Sequence, residues 1–164
     1  MHTRIVKPKH GPRLVVRPLR DGDVFTVLGL FERLSERSRR ARFHGAKPSL
    51  SPAELRQLAR VDSAHHVLVA HVQGDPQPVA IARLVRDGLN AEIAFAVADA
   101  YQQRGIGSAL TRELIADARA AGITHVTALV AGDNPAALAL LRRAVEVLDI
   151  RFEGTELSVR AAIA

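Results

Sequence analysis

One stretch of the chain, residues 91–131, constrains the fold more than any other. It reads as a strand over Ala91–Ala98, a helix over Ile106–Ala121 and an apolar strand over Ile123–Ala131. The helix repeats apolar residues four apart and is followed by Gly122, a residue typical of helix C-termini. A strand–helix–strand crossover requires its two strands to run parallel. The sequence therefore predicts a sheet that contains at least one parallel pair.

Further strands and helices are indicated on both sides of this crossover. Helix starts are marked by Asp21 or Asp23, by the capping box from Ser51 to Glu54 and by Asn134 before a proline. The predicted order is β-α-α-β-β-β-α-β-α-β-β, a mixed α/β fold of the α+β type. We expect one domain over residues 13–164 after a flexible arm over residues 1–12. The remaining predicted strands are Arg13–Leu19, His66–Val72, Pro78–Val85, Asp149–Phe152 and Leu157–Ala162.

The composition fits one globular domain with an aliphatic core. The chain has 164 residues, of which 48% are hydrophobic and 4% aromatic. The lack of cysteine excludes disulfides, cysteine-ligated zinc and a thiol nucleophile, and is consistent with a cytoplasmic protein. Apolar runs are too short for a membrane span, and no apolar stretch follows the charged N-terminus to make a secretory signal. We expect no metal site, because His65 and His66 lack a carboxylate or cysteine at metal-binding spacing.

The chain is basic. Its net charge of +6 comes from 23 Lys and Arg against 17 Asp and Glu, which favours anionic ligands such as nucleotides, phosphates or acidic proteins. The run Arg37–Arg42 concentrates four arginines. It is open to three interpretations: a nucleic-acid patch, a surface for an anionic acceptor, or a solvated helix face.

The segment Val97–Leu110 carries the most informative chemistry. After a strand and a loop, the residues QQRGIG open a helix. Glycines two apart let a backbone approach a ligand closely, and free N–H groups at a helix start bind anions such as a pyrophosphate. The spacing does not match the GxGxxG dinucleotide motif or the GxxxxGK phosphate loop. The alternative is that both glycines serve packing alone.

Several segments together resemble the GNAT N-acetyltransferase superfamily. Q-x-x-G-x-G after a strand is similar to its acyl-CoA pyrophosphate motif, and the resemblance extends over about residues 13–160 through Arg17-Pro18-Leu19 and Asn134-Pro135. LSERSRRARF at Leu34–Phe43 and AEIAFAV at Ala91–Val97 resemble the acetyltransferase domain of bacterial protein-lysine acetyltransferases. The resemblance implies a mixed sheet of six to seven strands with about four helices. Its parallel strands would splay apart after a bulge, leaving a cleft for acetyl-CoA.

This resemblance also implies which residues contact acetyl-CoA, the donor substrate. Main-chain groups of Phe95, Ala96 and Val97 would pair with its acetyl and pantetheine portion, and Asn134 would contact the pantetheine arm from the far side. Small side chains at Ala94, Ala96 and Ala98 leave room for a ligand, or else pack beneath a helix. The residues that would wrap the pyrophosphate are Gln103, Arg104, Gly105, Ile106, Gly107 and Ser108.

Glu92 is the candidate general base. An amine must lose a proton before it attacks a thioester, and a carboxylate at the site accepts that proton, often through one water. Glu92 lies in an otherwise apolar strand, and its position resembles that of the strand glutamate that serves as base in protein-lysine acetyltransferases. Asp99, Glu153 and His125 are alternative bases, although His125 is expected away from the splayed end of its strand. A solvent-facing Glu92 without a role also stays open.

The sequence departs from the family at one catalytic position. Many members carry a tyrosine seven residues after the helix-leading asparagine, where it protonates the leaving thiolate; here that residue is Leu141. We expect solvent to supply this proton, and acetyl transfer to occur by direct attack in a ternary complex because no cysteine is present.

Three functions stay open at this stage. The first is an acetyl-CoA-dependent N-acetyltransferase acting on a primary amine, either a protein lysine or a small molecule. The second is a non-catalytic acyl-CoA sensor, and the third is a basic nucleic-acid-binding domain, which the cofactor motif disfavours. Residues 37–60 are expected to shape the acceptor cleft, and the chain is expected to be a monomer or a homodimer.

Overall fold

The computed structural model describes residues 2–164, which form one mixed sheet of eight strands and five helices. The strand order across the sheet is β1-β2-β3-β4-β5-β6-β8-β7. The strands are β1 Arg4–Val6, β2 Leu14–Pro18, β3 His65–Val72, β4 Pro78–Asp87, β5 Asn90–Val97, β6 His125–Ala131, β7 Glu146–Glu153 and β8 Glu156–Ala162. The helices are α1 Val24–Glu32, α2 Glu36–Phe43, α3 Pro52–Leu58, α4 Ile106–Ala120 and α5 Pro135–Ala144.

Helices cover both faces of the sheet. On one face α4 and α5 bury the larger core, in which Ile106, Leu110 and Leu114 of α4 pack with Ile93 and its neighbours on the strands. On the other face α1 and α3 cover smaller clusters of aliphatic side chains. Because aromatic residues are scarce, both cores are built almost entirely from Leu, Val, Ile and Ala, as the composition predicts. No helix within residues 2–164 has the length and apolarity that crossing a bilayer requires.

The crossover prediction is confirmed: β5 and β6 run parallel and are joined through α4. Their pairing is short, extending from Asn90–His125 to Glu92–Thr127. Beyond that point β5 continues along β4 as far as Val97, and β6 continues along β8 as far as Ala131. The two strands therefore part while each keeps its outer neighbour. We call the resulting gap between residues 93–97 and 128–131 the fork.

The predicted numbers of strands and helices and the implied bulge need correction. The described chain has eight strands rather than six or seven, and five helices rather than about four. The segment predicted as a flexible arm contains β1, which pairs with β2, and its Pro8 is buried. The implied bulge does not interrupt the strand pair at the fork, because the register of β5 with β4 runs without a shift from Asn90 to Val97.

The extra helix, α2, escaped prediction because its sequence ERSRRARF has no apolar repeat. It begins at Ser35, whose side chain accepts a hydrogen bond from the Ser38 N–H at 3.1 Å, and Glu36 complements the helix dipole in the first turn. It ends at His44, which adopts the left-handed conformation with φ of 59°. Caps and charges, rather than a hydrophobic stripe, therefore define this helix.

Ion pairs to α4 hold β1 in place. Arg4 donates to Glu113 at 2.6 Å and to both carboxylate oxygens of Asp117 at 2.9 and 2.7 Å. His66 on β3 lies 2.8 Å from the same Asp117. The Arg4 contacts span more than 100 residues of sequence, which explains why a three-residue strand could not be recognised locally.

We predict that Arg4→Ala lowers the free energy of unfolding by about 1–2 kcal/mol, because partly buried charge-assisted hydrogen bonds are lost. Chemical denaturation measures this difference. Arg13→Ala, at an exposed position, is the matched control and should change stability little. Equal effects of the two substitutions would show that the ion pairs do not anchor β1.

Candidate active site

The fork exposes main-chain groups on its β5 edge. The Ala98 N–H donates a hydrogen bond to the Val79 carbonyl on β4. The Leu89 carbonyl, at the other edge of β5, accepts a hydrogen bond from the His125 N–H at the start of β6. By alternation along a strand, the main chains of Phe95 and Val97 face the fork and that of Ala96 faces β4. The Gln102 side chain already donates to the Val97 carbonyl at 3.0 Å. Phe95 and the Val97 N–H can therefore pair with an extended ligand, whereas the main-chain groups of Ala96 are directed toward β4.

The glycine turn brings the start of α4 to this fork. Gly105 precedes the helix with φ of 79°, and Gln103 also adopts a positive φ, 60°. The first intrahelical bond runs from the Ala109 N–H to the Gly105 carbonyl at 3.0 Å. No side chain caps the helix, so the N–H groups of residues 106–108 are left for another acceptor. Together with the helix dipole they form a site suited to an anion.

The two glycines of the turn have different roles. A Cβ at Gly105 would meet its nearest neighbours at 3.6 Å or more, so this glycine is required by its backbone conformation rather than by space. A Cβ at Gly107 would lie 2.7 Å from Leu140 Cδ1 and 3.2 Å from Val97 Cγ2. Gly107 therefore lets the start of α4 pack against β5 and α5. Packing, one of the two alternatives for these glycines, therefore describes Gly107, and ligand approach stays a prediction for the turn.

The other predicted cofactor contacts lie around the same turn. Ile106 is buried in the core, so its N–H rather than its side chain is available, while Ser108 is half-buried. The guanidinium of Arg104 lies 5.4 Å from the centre of the Tyr101 ring. Asn134 begins α5 just beyond β6, and its side chain accepts from the Ala137 N–H at 3.2 Å. These residues surround the open end of the fork.

Glu92 lies where the fork closes. It is the last residue of β5 paired with β6, through Thr127, and its side chain is exposed. Along β5, Ile93, Phe95 and Val97 pack toward α4, so alternation sends Glu92 to the opposite face of the sheet. There it lines a cavity of about 260 Å³ with α2, α3 and β4. A ligand held in the fork and a second one in this cavity would meet next to Glu92.

The alternative bases are placed less favourably. Burial raises the pKa of Asp99, but hydrogen bonds from Ser35 and Ser38 outweigh this effect and hold the pKa of Asp99 below its ordinary value. The Ser35 N–H donates to Asp99 at 2.7 Å, so this carboxylate anchors the start of α2. His125 pairs with Asn90 at the closed end of the fork, as expected. Glu153 is exposed at the end of the edge strand β7.

Charged residues that the sequence analysis did not single out share the cavity with Glu92. The cavity is lined by Arg83 of β4, by Glu54 of α3, by Lys47 in the preceding loop and by Arg42 of the basic run. Arg83 carries the same signal that identified Glu92, an isolated charge in an apolar strand. The turn at Asp87 and Gly88 sets the register of this hairpin and pairs Arg83 with Ala94. The pattern therefore contained the information needed to place Arg83 near Glu92.

The alanines of β5 are divided between packing and the cavity. Ala96 and Ala98 are buried with Leu30 of α1 and with Leu34, which follows that helix, so they pack beneath a helix. Ala94 lines the cavity beside Glu92. Leu141, at the position of the family tyrosine, is buried in the main core, whereas Tyr101 lies in the loop before the glycine turn.

A parallel strand pair that parts beside a glycine-started helix is what the sequence resemblance implies, and the comparison with known families agrees. The model of the acetyltransferase (GNAT) family matches residues 31–145, more than half of the chain. The chain belongs to this family.

Three relatives illustrate the match. Acetyltransferase Pat of Mycolicibacterium smegmatis is 37% identical over 142 residues, which cover 84% of this chain and 42% of that protein. Acetyltransferase PA5475 of Pseudomonas aeruginosa is 33% identical over 132 residues, covering 77% of this chain and 70% of that protein. The crystal structure of the GNAT domain of S. lividans PAT superposes with a TM-score of 0.87 at 26% identity, covering 98% of this chain and 96% of that domain. The chain thus spans less than half the length of the M. smegmatis protein.

We predict that Gly105→Ala destabilises the turn by about 1–2 kcal/mol, because alanine at φ of 79° is strained. Acetyl-CoA affinity, measured by calorimetry, should fall with it. Gly45→Ala is the control, since that glycine has no positive φ and open space around its Cβ position. Unchanged stability and affinity in Gly105→Ala would contradict the assigned role of this residue.

Asp99 should make stability depend on pH in a defined direction. Because its folded pKa is lowered, its contribution is present at neutral pH and is lost as the pH falls through the folded pKa. Asp99→Asn should therefore lower the free energy of unfolding at pH 7, and the difference from wild type should narrow below about pH 4. Denaturant titrations across this range measure it, with exposed Asp133→Asn as control. A difference that does not narrow in acid would contradict the assignment.

Proposed function

We propose that the chain is an acetyl-CoA-dependent N-acetyltransferase that transfers the acetyl group to a primary amine, with a protein lysine as the favoured acceptor class. The observation that carries the proposal is the fork, whose floor is Glu92 and whose mouth adjoins the uncapped start of α4. Family membership supports acetyl transfer. The resemblance of residues 34–43 and 91–97 to protein-lysine acetyltransferases supports the choice of lysine.

The donor is proposed to lie in the fork. The free N–H groups of residues 106–108 bind its pyrophosphate, and Arg104 adds positive charge nearby. Main-chain groups of Phe95 and the N–H of Val97 pair with the pantetheine arm as a neighbouring strand would. Asn134 contacts the arm from the β6 side. Acetyl-CoA supplies the thioester that makes the acetyl carbon electrophilic.

Glu92 is proposed to activate the acceptor. An alkyl ammonium has a reference pKa near ~10.4, so it is protonated at neutral pH and cannot attack. The Glu92 carboxylate accepts this proton, directly or through one water. The free amine nitrogen then forms a bond to the acetyl carbon, the carbon–sulfur bond breaks, and the nitrogen releases a second proton to solvent to give the neutral amide. Solvent protonates the departing thiolate, because Leu141 offers no proton and lies in the core.

The buried Leu141 also motivates a second candidate function, an acyl-CoA-binding module without catalysis. Tight acetyl-CoA binding with no turnover across proteins and small amines would support that alternative. A mass-spectrometric acetylation assay with lysate proteins and an amine panel side by side separates the two functions. The same assay distinguishes a protein lysine from a small-molecule acceptor.

We predict that Glu92→Gln lowers kcat at saturating acetyl-CoA by about 100-fold or more near pH 7, because the proton acceptor is lost. The difference in kcat between wild type and Glu92→Gln should become smaller as the pH rises, since more of the amine is then deprotonated without a base. Steady-state rates between pH 7 and 10 measure both effects, and exposed Glu153→Gln serves as control. Unchanged turnover in Glu92→Gln would remove Glu92 as the base.

A further inference from the structure

The cavity beside Glu92 contains two guanidiniums that the fold does not neutralise. Arg42 and Arg83 both line it. Among residues 2–164, no side-chain hydrogen bond or ion pair engages Arg42, and Nε of Arg83 is buried without a partner. One terminal nitrogen of Arg83 donates to the Gln57 carbonyl at 3.0 Å. Most of the hydrogen-bonding capacity of the pair is therefore left for a ligand.

Arg83 also acts electrostatically on Arg42. Burial lowers the pKa of Arg42 to about 10, repulsion from Arg83 acts in the same direction, and the charge of Glu92 opposes both effects. Burial likewise lowers the pKa of Arg83. Both side chains stay charged at neutral pH, so two like charges are held in a partly desolvated site. Such an arrangement is costly unless an anion compensates it.

The other charges in the cavity do not supply this compensation. Lys47 and Glu54 form an ion pair with each other. Glu92 is the one other carboxylate that lines the cavity, and within residues 2–164 it forms an ion pair with neither Arg42 nor Arg83. Asp62, which also acts on Arg83, lies outside the cavity lining and is paired with Arg60 and His65. A plain alkyl ammonium entering the site would add a third positive charge to a single carboxylate. An acceptor that also carries a negative group avoids this imbalance.

We propose that the acceptor is an aliphatic primary amine that bears a carboxylate, with its nitrogen at Glu92 and its carboxylate on Arg42 and Arg83. This inference rests on the proposed acetyl transfer. Leu50, Leu58 and Ala94 line the same cavity and contact the carbon chain between the two groups. Guanidiniums bind carboxylates through paired N–H donors, which gives geometric selectivity as well as affinity.

The four arginines of the basic run in α2 occupy different environments. Arg39 stacks on Phe31 at 4.0 Å and donates to the Phe31 and Pro48 carbonyls, so it fastens α2 to its neighbours. Arg37 and Arg40 are exposed. Of the four arginines, Arg42 is the one that lines the cavity. The carboxylate has two possible sources: an acidic residue next to an acceptor lysine, or the acceptor's own carboxylate in a small amino acid.

Matched acceptors test the proposal. One pair is a lysine peptide with a neighbouring glutamate or glutamine, and the other is a diamino acid or its carboxamide. At low salt, kcat/KM of wild type should favour the acid in at least one pair by about tenfold or more. The pair that shows the preference identifies the source of the carboxylate. Arg42→Gln and Arg83→Gln should reduce the acid-to-amide ratio toward one, whereas Arg83→Lys should retain part of it.

Arg40→Gln is the matched control, because it removes one positive charge from the exposed side of the same helix and should leave both ratio and activity unchanged. Thermal melts verify that each variant is folded. A wild-type ratio of one in both pairs, or a ratio unchanged in both arginine-to-glutamine variants, would overturn the proposal.

Calorimetry of acid and amide binding without acetyl-CoA separates this inference from the proposed function. If no amine is acetylated but the acid binds more tightly through Arg42 and Arg83, acetyl transfer fails and the anion site stands. Equal binding of acid and amide overturns the anion site.

Discussion

The early separation of β5 from β6 is the constraint on which the rest of the site depends. Hydrogen bonding between these parallel strands ends at Glu92 and Thr127. An exposed strand edge in the middle of a sheet would ordinarily be unstable, because main-chain groups must be paired. Here each strand is held on its outer side, β5 by β4 to Val97 and β6 by β8 to Ala131. The sheet therefore stays intact while its centre offers main-chain groups to an extended ligand.

The same separation determines which face serves which substrate. Alternation along β5 points Val97 toward α4, where Gly107 lets the helix start approach the strand within packing distance. Glu92 points to the other face, toward α2 and α3. In the proposed reaction, a donor anchored at α4 and an acceptor in the cavity approach the floor of the fork from opposite sides. We propose direct transfer between them, without a covalent enzyme intermediate, in agreement with the absence of cysteine.

Local signals predicted most of the fold. The capping box at Ser51, the asparagine cap at Asn134 and the crossover through α4 are all present in the structure. Each cap depends on residues within one helical turn, and the crossover depends on the hydrophobic pattern within each of its elements. Such local patterns can be recognised in the sequence of one protein. What could not be predicted depends on distant partners: β1 is held by Arg4 contacts to α4, and α2 by Asp99 from the far end of β5.

The candidate site likewise combines residues that local patterns reveal with residues that only distant contacts bring together. Glu92 and the glycine turn stood out as exceptions to local patterns, a lone charge in an apolar strand and two glycines at a helix start. That Arg42 shares a cavity with Arg83 depends on how α2 lies against the sheet, which its sequence does not encode locally. The main-chain direction of Ala96 likewise follows from strand register rather than from residue type.

Hydrogen–deuterium exchange with and without acetyl-CoA tests the central claim most directly, because the claim concerns particular main-chain groups. The account predicts slower exchange at Phe95, at Val97 and at the amides of residues 106–108, with the edge strand β7 unaffected. Protection confined to other parts of the sheet, or none at the fork under saturating acetyl-CoA, would contradict the account.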